Sequence, residues 1–222
     1  MILPSLLAAW LASVAAQPAA DQEMFASIMS GWVTARDLSR EGASVGGQAA
    51  ILTAAFNRLE IWIAEAQRGT TPRDAIRALE LRYADAAIRA AVDASQDERD
   101  EMAVFLLHAR DLSRQLDLLG GRARWPLPMD EVDGELWLEV DRYAEARDAY
   151  QRAATATGSQ GAWVGLARAS AKLGDAPGAC AAYRAALRTE LLPDVREEAD
   201  KYVMSPACGV VSRLSTPASR LP

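Results

Sequence analysis

One apolar pattern occurs twice, 33 residues apart. Ala146-x3-Tyr150-x2-Ala153 returns as Ala179-x3-Tyr183-x2-Ala186, and Ala149 returns as Ala182. Spacings of three and four place these residues on one helical face. A unit of this size is a pair of short helices, which cannot bury its apolar face alone. It forms a core only by stacking on neighbours. The small residues let helices approach closely, and Tyr150 and Tyr183 can fill the space between one hairpin and the next.

The second copy is preceded by Trp163-x2-Leu166-Ala167 and by Leu173-Gly174-Asp175. This arrangement resembles the tetratricopeptide repeat family, in which Trp-x2-Leu-Gly opens the first helix and Ala-x3-Phe marks the second, at a period of about 34 residues. The likeness spans residues 130–188 and is incomplete. Asp130 stands where the first copy should carry its Trp, with Trp137 farther on. Gly158 and Leu191 replace the closing proline, and Ser170 replaces a large residue of the first helix.

The resemblance implies an all-α, right-handed helical-hairpin solenoid over residues 130–204, packed with an N-terminal helical bundle. It assigns Ala146, Tyr150, Ala153, Leu166, Ala179, Tyr183 and Ala186 to repeat packing. It also implies a concave groove lined by the first helix of each hairpin. On the second hairpin Gly161, Val164, Arg168, Ala171 and Lys172 would face that groove, with Trp163 beside them. Arg168 and Lys172 are four apart and would share a face, as a basic spot for a carboxylate such as a peptide C-terminus. The preceding hairpin would offer Asp130, Asp133 and Glu139. The function this implies is binding of a protein or an extended peptide. The alternative is a structural or assembly subunit of an envelope complex, held by apolar faces and lacking a peptide groove.

Upstream, apolar residues recur at helical spacing throughout residues 21–121. Helices are expected over 21–40, 48–67, 72–93 and 96–119. Gly42 to Gly47 reads as a breaker, Thr71-Pro72 as a start signal, Ser95 as an N-cap and Gly120-Gly121 as a stop. Arg122 to Asp130 contains two prolines and is the expected domain boundary. Beyond it helices are expected over 131–140, 143–155, 161–173, 177–188 and 193–204, followed by a flexible tail, 205–222. A fainter repeat runs through both regions. Ala35-Arg36-Asp37-Leu38-Ser39-Arg40 is copied letter for letter at Ala109 to Arg114, and Glu60-Ile61-Trp62-Ile63 resembles Glu135-Leu136-Trp137-Leu138. Either an old duplication or biased composition would produce it.

Met1 to Ala16 is apolar and carries no charged side chain. It is short for a membrane span, which needs about 20 residues. Its length and small-residue ending are those of a signal peptide, residues 1–16, although no Lys or Arg precedes the apolar run. An uncleaved anchor or a buried first helix is the other reading. Removal of the segment would leave no stable membrane span and an exported protein, periplasmic or extracellular. In such a compartment Cys180 and Cys208 are a disulfide candidate.

The net charge of −6 argues against nucleic acid as a partner, because displacing counterions needs a cationic face. Two cysteines and the single His108 lack the spacing of a metal site. His108, Asp111 and Ser113 share one helix, so no separate strand or loop presents them to a pocket. No motif calls for a cofactor, and catalysis is not expected.

Overall fold

The computed structural model describes residues 19–38, 45–122 and 126–209. The proposed signal peptide and the tail beyond residue 209 lie outside the described residues. The described residues form an all-α fold of nine long helices: α1 (Ala19–Asp37), α2 (Val45–Arg68), α3 (Pro72–Ser95), α4 (Arg99–Leu118), α5 (Met129–Glu139), α6 (Tyr143–Thr157), α7 (Gln160–Lys172), α8 (Ala176–Ala186) and α9 (Pro193–Val203).

Local signals explain most boundaries. Thr71 caps α3 in a reciprocal capping box with Asp74, and Pro72 follows it. Gly120 ends α4 at φ +74°, a conformation glycine adopts without steric cost. The amides of Gly120 and Gly121 then reach back to the carbonyls of Asp117 and Leu116. Two expectations are corrected. α2 starts at Val45 and runs through Gly46-Gly47, so that pair does not break the chain. Ser95 closes α3 instead of capping α4. Its hydroxyl donates to the Val92 carbonyl, and α4 begins after Glu98 with no side-chain cap.

Consecutive helices pack as antiparallel neighbours, and a second rule is superimposed. α1 touches α3, α3 touches α5 and α5 touches α7. α1, α3, α5 and α7 therefore make a continuous layer, and α2, α4, α6 and α8 pack against it. Gly31 shows how close the layer is: a Cβ there would sit 3.1 Å from the Ala55 side chain of α2 and 3.2 Å from Ile88 of α3. α3 is the centre of the N-terminal half. Tyr83, Ala84, Ala87, Ile88, Ala90 and Ala91 on it are fully buried, so its second half is apolar over most of its circumference, with Asp85, Arg89 and Asp93 on the remaining side.

Two cores result. One joins α1 to α5, with Leu59, Leu106, Leu112, Val132 and Leu136 among its members. The other joins α6 to α9. The break between them falls one helix later than the proline-containing linker. Leu127 and Met129 pack on the first core, and the Tyr83 hydroxyl donates to the Leu127 carbonyl at 2.7 Å. The first part of the expected tail is also ordered by contacts. Residues 206–209 form a helical turn, and Cys208, 1 % exposed, stands at disulfide distance from Cys180 of α8, with Cα atoms 5.7 Å apart.

The copied segments do not occupy equivalent places. Ala35 to Asp37 end α1, an odd helix, whereas Ala109 to Arg114 lie in α4, an even one. Ile61 is exposed on α2, whereas Leu136 is fully buried on α5. Duplication of a helical hairpin would preserve that parity, so the letter match does not trace one.

Candidate binding surface

The recurring positions form the packing contacts between hairpins. Ala146, Tyr150, Ala153, Leu166, Ala179, Tyr183 and Ala186 are all buried. The Tyr150 ring of α6 lies against Gly134 of α5 and Gly165 of α7. A Cβ at either glycine would come within 2.8 Å or 2.2 Å of the ring. The Tyr150 hydroxyl is enclosed beside Glu135 without a hydrogen bond of good geometry. One repeat later Glu198 of α9 takes the place that Gly165 holds beside Tyr150. The Tyr183 hydroxyl donates to Glu198 Oε1 at 2.6 Å.

This arrangement corrects the expected basic spot. Arg168 is not free: its guanidinium forks onto both oxygens of Glu198, at 2.8 and 2.5 Å. Burial works against its charge, but Glu198 more than offsets this and carries the pKa above the usual arginine range. Burial pushes the Glu198 carboxyl up, and the bonds from Arg168 and Tyr183 override it and hold the carboxyl low. Lys172 points elsewhere, with Nζ 5.6 Å from the Tyr143 ring of α6. Val164, 5 % exposed, belongs to the core, and Trp163 is half-buried against the same core. A Cβ on Gly161 would meet Glu131 of α5 at 2.9 Å, so this position faces a neighbouring helix. The four expected groove residues therefore do not converge on one ligand position.

The densest charge lies on α5, where sequence reasoning singled out only Asp130, Asp133 and Glu139. Arginines from three other helices meet it. Arg36 of α1 pairs with Glu135 at 2.7 Å and with Glu139 at 3.1 Å. Arg110 of α4 grips Asp133 through two bonds of 2.9 Å. Arg152 of α6 reaches Asp130 at 2.8 Å. Glu131 accepts from Ser159 Oγ at 2.8 Å. Burial pushes the carboxyls of Glu131 and Asp133 above their usual range, against the pull of those partners. The available signal was composition: five acids in an 11-residue helix with buried apolar positions require countercharge from elsewhere.

Along the odd-helix layer, charges of both signs remain part-exposed. Arg36, Glu135, Glu139, Arg168 and Glu198 keep between 18 and 34 % of their side-chain surface in solvent. Such a row can exchange an internal partner for an external one, as a buried pair cannot. A separate cleft of about 320 Å³ opens between α1 and α2, lined by residues including Glu23, Ser27, Ile51 and Arg58. No helix among the described residues is long and apolar enough to cross a membrane. No protein-family model matches the chain, and neither a curated protein nor a solved structure does.

Proposed function

We propose that the protein is an exported helical-repeat module of tetratricopeptide type that binds another protein or an extended peptide. The observation carrying this reading is the continuous layer of α1, α3, α5 and α7 with its part-exposed row of alternating charge. An extended ligand laid across successive hairpins would meet Arg36, Glu135, Arg168 and Glu198 in turn. The uncharged apolar start and the Cys180–Cys208 pair support export.

The second reading, an assembly subunit of an envelope complex without a groove, is favoured by one fact. The row's charges already satisfy one another, so no cation there is left waiting for a ligand. A partner recovered from envelope extracts separates the two readings by titration. Binding to the odd-helix row should weaken steeply with salt and fall at least tenfold in Arg168→Gln, with helicity retained. Affinity insensitive to both would favour the assembly reading, and a stable monomer that recovers nothing would defeat both.

A further inference from the structure

α4 is amphipathic twice over. Its buried residues Met102, Leu106, Ala109, Leu112 and Leu116 face α3. At about 100° per residue, Val104, Leu107, Asp111 and Leu118 fall within roughly 60° of one another on the opposite side. Val104 is 66 % exposed, Leu107 56 % and Leu118 86 %. Isolated apolar residues on a surface need no explanation, but three on one stripe about 21 Å long, diametrically opposite the core, make a face. Asp111 and Arg114 interrupt it, paired with each other and largely in solvent.

The order of residues on this stripe makes it complementary to itself. We propose that the outer face of α4 is an isologous dimer interface, in which a second copy lays its α4 antiparallel across a two-fold axis level with Leu112 and Ser113. Leu107 of one copy is then level with Leu118 of the other, at both ends of the contact. Asp111 is level with Arg114 in both directions, so the two intrahelical ion pairs become one four-charge network. Three alternatives fail on charge. An axis at Asp111 opposes two carboxylates, an axis at Arg114 opposes two guanidiniums, and a parallel pairing does both. Self-complementary patches are what two-fold assembly requires. The contact is one helix wide, at the small end of specific interfaces, so the dimer should dissociate on dilution. It leaves the odd-helix layer open and is independent of what that layer binds.

Sedimentation of the full chain over a concentration series tests this. The expected mass is twice that of one chain at high concentration and falls towards one on dilution. Leu118→Glu should give a monomer at every concentration with an unchanged helical signal. Asp111→Arg should also be monomeric, because it sets four cations together, and Asp111→Arg combined with Arg114→Asp should regain the dimer. Mild oxidation gives the register. A mixture of Leu107→Cys and Leu118→Cys chains should cross-link, and neither alone should. A wild-type monomer throughout overturns the proposal, as does a dimer that survives Leu118→Glu. Cross-linking of Leu107→Cys with itself overturns the antiparallel register.

Discussion

In the hairpin of α5 and α6, Tyr150 stands between two glycines with its hydroxyl enclosed beside Glu135 and no hydrogen bond of good geometry; in the next, the Tyr183 hydroxyl donates to Glu198 at 2.6 Å. The same side chain at the same place in a repeat is therefore packed between two glycines in one unit and hydrogen-bonded to a carboxylate of the following helix in the other. The difference follows from position in the stack. The unit holding Tyr150 has hairpins on both sides, so removing the Cβ at positions 134 and 165 gains close packing of a ring that water never reaches. Among the described residues the unit holding Tyr183 has α9 and the turn of residues 206–209 beyond it, and Glu198 lies partly in solvent. There a carboxylate can remain charged, accept from Tyr183 and anchor Arg168.

The strongest way to break this comparison is to remove each ring. Tyr150→Ala should cost ~3–5 kcal/mol, the range for an aromatic lost from a packed site. Tyr183→Ala should cost nearly as much, because it also removes a hydrogen bond to Glu198. Thermal or urea unfolding measures both. A shift at Tyr150 no larger than that of an exposed Arg→Ala control would mean that the ring is not the hairpin joint. Opening the Cys180–Cys208 link comes close behind. With the cysteines 28 positions apart, loop entropy predicts a loss of ~3.5 kcal/mol. That loss should fall on the Tyr183 unit alone, which hydrogen exchange with and without reductant would localise.

Features legible in the sequence were the ones encoded locally. Thr71-Pro72, Gly120 and the alternation of Ala with large residues mark helix ends and faces within a turn or two, and the helices lie close to where they were expected. The failures are all long-range. Arg168 looked like a free cation because Glu198 is 30 residues away and nothing in the intervening chain announces the pairing. The clamp on α5 draws Arg36, Arg110 and Arg152 from three helices, which only the packing brings together. Gly46-Gly47 misled for a different reason: glycine lowers helix propensity by only about 1 kcal/mol per residue, which does not by itself end a helix. The copied Ala-Arg-Asp-Leu motif shows that identical letters need not hold identical places, since one copy ends an odd helix and the other runs along an even one.

The α5 clamp sharpens the comparison at a smaller scale. Asp133 is 1 % exposed and doubly bonded to Arg110, whose side chain is 38 % exposed. Asp133→Ala should cost ~2 kcal/mol. This is below the loss expected when a fully buried pair is broken, because Arg110 can turn back into water. If the cost in denaturant unfolding is below that of exposed Asp148→Ala, the clamp contributes nothing to the joint between the two halves.

The smallest expected effects contrast the two halves most directly, through pH. Burial raises the Glu131 carboxyl in the folded state, so the unfolded chain gives up that proton more readily. The charge at position 131 is then a cost at neutral pH, and the cost disappears as pH falls through the raised folded value and then the unfolded one. Glu198 has the opposite sign. Its folded value is lowered, so it contributes stability above the unfolded value, and that contribution is lost as pH falls through the ordinary carboxylate range towards the lowered one. Glu131→Gln should therefore stabilise slightly at pH 7 and be neutral near pH 4. Glu198→Gln should destabilise by ~1 kcal/mol at pH 7, less than a buried charged hydrogen bond is worth because the site is partly in solvent, and the difference should shrink at pH 4. Urea midpoints of the two variants and the wild type at both pH values supply the comparison. Two variants moving in the same direction with pH would mean that the two sets of carboxylates do not differ in the way their surroundings indicate.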